Sequence, residues 1–223
     1  MSAELLVLPI GPLRTNVVLL GDSLRREAIV VDAAIPSLSE IVTVLAQRSW
    51  KLVLALATHG HWDHMGELAA LKEHVRAHEA RELAVGSHPL DRHRLEEPRP
   101  MAAPFPIPAV VPTRDLLDGD RIHAGSIDLL VMHTPGHTEG SISLHDEGAG
   151  ILYSGDTLFQ GAWGRTDLPG GDDQAMIASL DRLSRLPAAT RVIPGHGGAT
   201  TIADERAWIS EVVKSGRLRT LRS

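Results

Sequence analysis

The sequence predicts an α/β protein whose strands deliver reactive side chains from their ends. Short apolar runs of strand length, at residues 5–8, 17–20, 28–32 and 52–57, alternate with stretches whose apolar residues fall at helical spacing. Four strand-like runs end in small or turn-forming residues and then a histidine or aspartate. Open α/β sheets place their sites beyond the carboxyl ends of strands, so the second pattern supports the first. An apolar fraction of 43% over 223 residues is enough for a sizeable core. The length suits a single domain running over residues 1–223.

In chain order, residues 5–8 and 17–20 read as strands separated by the turn Pro9-Ile10-Gly11-Pro12, and residues 28–32 as a third. After Pro36 the positions Leu38, Ile41, Val42 and Leu45 form one apolar stripe, giving a helix that ends near Arg48. The strand at 52–57 runs into a histidine-rich loop. Beyond Gly66, the residues Leu68, Ala69, Leu71 and Val75 predict a helix and then a short strand. Residues 86–112 break the pattern with Pro89, Pro98, Pro100, Pro104, Pro106, Pro108 and Pro112, and read as a loop or lid. Part of a substrate pocket and a plain surface excursion are equal readings for it. Asp118-Gly119-Asp120 is a turn leading toward a strand at 127–131. Strands follow at 141–145 and 151–154. Asp172 or Asp173 caps a helix carrying Met176, Ile177, Leu180 and Leu183, which Pro187 stops. A last strand at 191–193 precedes a helix beginning near Asp204.

Composition narrows the chemistry. The absence of cysteine removes disulfides, thiol nucleophiles, iron–sulfur ligation and cysteine-type zinc sites together. Any metal must then be held by nitrogen and oxygen. A formal charge of −6 gives no reason to expect nucleic acid as a partner. No apolar run is long enough to span a bilayer, and Met1-Ser2-Ala3-Glu4 does not open a secretory signal. The expectation is a soluble, cytoplasmic protein with no membrane partner.

Thr58-His59-Gly60-His61-Trp62-Asp63-His64 packs three histidines and a carboxylate directly behind an apolar strand. Imidazoles this close disfavour one another's protonation and add little to a core. A divalent cation resolves the conflict, since neutral imidazole is its commonest protein ligand and a carboxylate adds anionic coordination. Three later segments repeat the layout of strand, small residues and one projecting ligand. They are Thr134-Pro135-Gly136-His137, Ser154-Gly155-Asp156-Thr157 and Pro194-Gly195-His196-Gly197.

His59-Xaa-His61-Xaa-Asp63-His64, followed in order by His137, Asp156 and His196, resembles the metallo-β-lactamase superfamily. Thr134-Pro135-Gly136-His137-Thr138, Ser154-Gly155-Asp156-Thr157-Leu158-Phe159, Gly164-Arg165-Thr166-Asp167 and Pro194-Gly195-His196-Gly197 resemble its glyoxalase II-like branch, in particular the short bacterial members. The resemblance covers nearly the whole chain. It implies a four-layer αβ/βα sandwich with metals at one edge of the sheets. It further implies that His59, His61 and His137 hold one metal, that Asp63, His64 and His196 hold a second, and that Asp156 bridges them. Two divalent ions are implied, zinc first, with iron or manganese as alternatives. The implied reaction is hydrolysis of an acyl-thioester such as S-lactoylglutathione by a metal-bridging hydroxide, with Asp63 orienting it and carrying a proton. Long glyoxalase II proteins carry a C-terminal helical domain that helps hold glutathione; after His196 only one helix and a basic tail are expected here.

Persulfide dioxygenases, which use a single iron, share the ligand pattern and the Gly-Arg-Thr-Asp segment and form the main alternative. Leu168-Pro169-Gly170-Gly171-Asp172 resembles the short hydrolases instead. Lactonases and nucleases of the superfamily are more distant alternatives. Arg165 is read as the partner of Asp167 in an internal ion pair that braces the site loop, with recognition of a substrate carboxylate as its sharper role. Trp62 is expected to be buried as loop packing, and Tyr153 to lie in the core. His74, His88, His93, His123 and His145 are assigned to surface or loops, and His78 and His133 to strand ends without contact to the ligands.

Overall fold

The computed structural model describes residues 3–99, 103 and 105–218. Its first sheet runs in spatial order through β1 (Glu4–Ile10), β2 (Thr15–Asp22), β3 (Glu27–Val31), β4 (Lys51–Leu56), β5 (Ala84–Ser87) and β6 (Arg114–Asp115). The second sheet contains β7 (Arg121–Ala124), β8 (Ile127–His133), β9 (Ile142–Asp146) and β10 (Ile151–Gly155). A small hairpin follows, of β11 (Leu158–Phe159) and β12 (Ala162–Trp163), before β13 (Arg191–Pro194) and β14 (Thr200–Thr201) complete the second sheet in the order β14-β13-β10-β9-β8-β7. Helices α1 (Leu38–Arg48), α2 (Trp62–Met65), α3 (Leu68–Glu79), α4 (Arg92–Glu96), α5 (Asp173–Ser184) and α6 (Ile202–Ser215) complete the chain.

The period-2 alternation of strand side chains creates the layers. In β2, Val17 and Leu19 face the helices of the first half, together with Val30, Ile41, Leu68 and Leu71. Their neighbours Val18 and Leu20 point the other way and meet Leu129, Val131 and Leu144 of the second sheet. A third core packs Leu152 and Val192 of the second sheet against Leu180, Leu183 and Ile209 of α5 and α6. The result is a four-layer αβ/βα sandwich with two sheets face to face and helices outside each.

Strand direction then fixes where the ligands emerge. Strands β3, β4 and β5 are parallel. In the second sheet β10 and β13 are parallel, and β8 joins their direction through two antiparallel pairings across β9. The carboxyl ends of these strands meet at one edge, where Ile142 N donates to Thr58 O at 2.8 Å across the sandwich.

The two-residue strands β6, β11, β12 and β14 escape the sequence reading because each is too short to show alternation, and β7, which alternates over four residues, is passed over between the turn at Asp118-Gly119-Asp120 and the strand at 127–131. Within the proline-rich region 86–112, of which residues 100–102 and 104 lie outside the described residues, residues 86–96 are regular and not loop: they finish β5, make a tight helical turn at Pro89–Asp91 and continue into α4. Proline at the first helical position, where its missing N–H is no loss, starts that turn. Of the histidines assigned to surface or loops, His88 does lie in a loop but is buried, at 6% exposure, and His145 is on a strand and buried, at 5%. His145 sits on β9, whose two faces are both covered. Tyr153 lies in the core as expected.

Candidate metal centre

At the end of β4 the chain leaves the sheet through Thr58, which donates from its N and Oγ1 to the carboxylate of Asp32 at 2.7 and 2.8 Å. His61 is still extended (φ −74°, ψ 145°), after which Trp62–Met65 turns once as α2. Extended backbone sends His59 and His61 in one direction, and the helical turn swings Asp63 and His64 to another. Three groups result: His59 with His61 and His137, His59 with His64 and Asp156, and Asp63 with His64 and His196, the atoms of each lying within 4.8 Å of one another.

The inward atoms are fixed by outward hydrogen bonds. His137 Nδ1 donates to Arg165 O at 2.7 Å, His64 Nδ1 pairs with Asp32 Oδ2 at 2.8 Å, and His196 Nδ1 donates to Leu13 O at 3.0 Å. Each therefore presents Nε2 to the cluster, the arrangement by which outer partners orient metal ligands. His59 Nε2 and His137 Nε2 stand 3.1 and 2.8 Å from His61 Nδ1. Asp156 reaches both sides: Oδ1 lies 3.4 Å from His64 Nε2, and Oδ2 lies 3.5 Å from His137 Nε2 and 3.6 Å from His196 Nε2. Gly195 permits this approach, because a Cβ there would stand 2.2 Å from Asp156 Oδ1.

Electrostatics separate the cluster by which acid each imidazole faces. Burial, reinforced by the surrounding imidazoles, pushes His59 well down and His61 to about 3, so both are neutral and ready to donate lone pairs. Burial acts the same way on His64, but Asp156, Asp63 and Asp32 outweigh it and raise its pKa. Burial would raise Asp63 and Asp156, yet the neighbouring histidines, His64 foremost, hold both carboxyls low. Three imidazole nitrogens crowd together without a carboxylate between them, and Asp156 Oδ1 is buried with no hydrogen-bond partner. A donor set of imidazole nitrogens, with those of His59 and His61 held neutral, and ionised oxygens, one of them without a hydrogen-bond partner among the described residues, fits divalent cations.

All seven residues singled out as ligands thus converge, and Arg165 reaches the same cleft. Arg165 does pair with Asp167, at 2.7 Å, but both side chains are more than half exposed, so the pair is a surface one rather than internal. Trp62 is half-buried and lines the cleft instead of lying buried, with its ring edge-on to Phe105 at 5.8 Å. His78 and His133 make no hydrogen bond to a ligand among the described residues; His78 is exposed near the end of helix α3, and His133 stacks on His88. Asp32 is the functional residue the sequence reading overlooked. Its signal was present, because Val30-Val31-Asp32 is also a strand ending in a carboxylate, and its left-handed φ of 57° is a conformation aspartate tolerates.

A four-layer αβ/βα sandwich with a His/Asp cluster at the shared sheet edge defines a class of metal-dependent hydrolases. Residues 10–196 match the family model of the metallo-β-lactamase superfamily, and the chain belongs to that superfamily. It is 30% identical over 205 residues to the hydroxyacylglutathione hydrolase GloC of Haemophilus influenzae, covering 90% of this chain and 93% of that one. Among solved structures it is similar to the B3 metallo-β-lactamase BLEG-1, with a TM-score of 0.82 and 32% identity over 93% of this chain and 100% of that one. It is also similar to TTHA1623 in a di-iron-bound form, with a TM-score of 0.74 and 33% identity over 91% of this chain and 97% of that one. No helix among the described residues is long and apolar enough to cross a membrane.

Proposed function

We propose that the protein is a dinuclear metal-dependent hydrolase of acyl-thioesters, S-lactoylglutathione being the type of substrate. The observation that carries this reading is the set of three ligand groups sharing members at the floor of one cleft. His59, His61 and His137 would hold one cation, Asp63, His64 and His196 the other, with Asp156 between them. Two divalent cations so held, zinc first, supply Lewis acidity toward a carbonyl and acidify water at neutral pH.

The chain's own residues do the positioning. Asp63 belongs to the ligand set and also lines the cleft; its Oδ2 lies 3.1 Å from His196 Nε2 and takes a 3.3 Å hydrogen bond from the Thr15 hydroxyl. It is placed to receive a proton from water and pass it toward a leaving group. A thiolate leaves without a strong general acid, which suits a cleft whose two aspartates, Asp63 and Asp156, are both held low by the neighbouring histidines. The cleft, about 700 Å³, mixes the apolar surfaces of Leu13, Trp62 and Leu168 with the cations Arg99 and Arg165, a lining suited to a substrate with an apolar stem and carboxylates. GloC, a hydroxyacylglutathione hydrolase by name, supports the same reading.

Purified protein is expected to take up two zinc ions and to hydrolyse S-lactoylglutathione. Asp156→Ala should cut the rate at least about 100-fold and lower metal content while the circular dichroism spectrum is kept. A fully active Asp156→Ala protein overturns the proposal, as does iron-dependent oxygen uptake with glutathione persulfide in the absence of thioesterase activity.

A further inference from the structure

Asp91 stands outside the ligand set, yet it is fully buried at the end of the tight turn that follows β5. Its Oδ2 accepts from Gly60 N at 2.6 Å and from the Thr138 hydroxyl at 2.7 Å, and its Oδ1 accepts from Gly140 N at 2.9 Å. Gly60 separates His59 from His61, and Thr138 follows His137. One carboxylate therefore joins the two loops, one from each half of the sandwich, that present the three-histidine group. A buried carboxylate is retained only where donors and cations offset its desolvation, and here every contact lands on those loops or on Arg94.

Arg94 extends the brace. Its Nε lies 3.5 Å from Asp91 Oδ1, and its Nη2 donates to Glu139 Oε2 at 2.5 Å and to Pro169 O at 2.8 Å. Pro169 belongs to the loop whose Arg165 carbonyl orients His137. The packing leaves no slack: a Cβ at Gly60 would stand 2.5 Å from Arg94 Cβ, and one at Gly140 would stand 2.6 Å from Asp91 N. The other subsite hangs on different ties. Asp32 holds His64, while also accepting from Thr58 beside His59, and Asn16 Nδ2 donates to Pro194 O and Gly197 O, at 2.9 and 3.0 Å, on either side of His196.

We propose that Asp91, braced by Arg94, is a positioning residue that assembles the three-histidine subsite, so that its loss weakens one bound ion and spares the other. This rests on the division of ligands given under the proposed function. Metal-free wild type, Asp91→Asn, Thr138→Ala, His196→Ala and the Asp91→Asn/His196→Ala double variant are titrated with Zn²⁺ alone, with thermal unfolding of each apoprotein alongside. Asp91→Asn is expected to weaken one ion about 10- to 100-fold and leave the other within about threefold, the range seen for outer-shell partners of metals. Thr138→Ala, which keeps the carboxylate, should weaken the same ion by less and decides the question if Asp91→Asn does not fold. His196→Ala should weaken the other ion, and the double variant should hold neither tightly.

Equal weakening of both ions in Asp91→Asn means a general structural role and overturns the proposal. So do two unchanged ions, or one tight ion surviving in the double variant. A wild type that takes up a single ion refutes the dinuclear reading instead. The positioning role is then judged on that ion, upheld if Asp91→Asn weakens it and overturned if it does not.

Discussion

Asp22 closes β2 and accepts from Leu24 N and Arg25 N at 2.8 and 2.7 Å through Oδ1, and from Ser126 N at 2.6 Å through Oδ2. These bonds, that from Arg25 N foremost, hold its pKa at about 2. A carboxyl lower in the folded protein than the ordinary value of about 3.9 stabilises the fold fully above that value and loses its contribution as pH falls toward 2. Asp22→Asn is therefore expected to flatten the decline in urea-unfolding stability between about pH 4 and 2; parallel profiles for the two proteins would refute the assignment. Asp22 also shows which residues a sequence hides. His59, His61, Asp63 and His64 were legible because four ligands fall within six positions and packing gives no reason for them. Asp32 and Asp91 act by accepting bonds from backbone N–H groups and hydroxyls remote in sequence, so nothing beside them in the chain announces the role, and Asp22 adds to its two local bonds one from the distant Ser126 N.

Helix α5 shows how an element's ends are coupled to the site. Asp172 is its N-cap: the side chain accepts from Ala175 N at 2.8 Å, and its own N donates to Gly136 O at 2.9 Å, next to His137. Asp172→Ala should cost about 0.5–2 kcal/mol, as other lost caps do, measured by denaturant unfolding. The cap and the stripe of Met176, Ile177, Leu180 and Leu183 were readable because helical spacing is strong over three turns. Strands β6, β11, β12 and β14 have two residues each, fewer than one period of alternation needs to be seen. His145 was misassigned because a polar side chain on a strand suggests a solvent-facing side, whereas β9 lies between two covered faces. The turn and α4 after β5 were masked by prolines that belong to their start and their exit.

For the whole molecule, the order of the two sheets in the chain matters most. Every strand of the first sheet precedes Leu116 and every strand of the second follows it. Each proposed subsite takes two ligands from the first half, His59 with His61 or Asp63 with His64, and one from the second, His137 or His196. Ions bound to the folded form alone stabilise it by mass action, about 2.7 kcal/mol for one site at a free concentration one hundredfold above Kd. For a chain of this size that is about 5–10 °C in Tm. Chelation is expected to lower Tm by that amount and restored zinc to return it; a Tm indifferent to chelator refutes ligation across the halves. The turn at Asp118-Gly119-Asp120, the single covalent passage between the halves, then has a second meaning. A chain nicked there would be two fragments sharing a greasy face and riveted by ions, each rivet set with two legs in one plate and one in the other. Such a pair should stay together in zinc and come apart more readily when zinc is withdrawn.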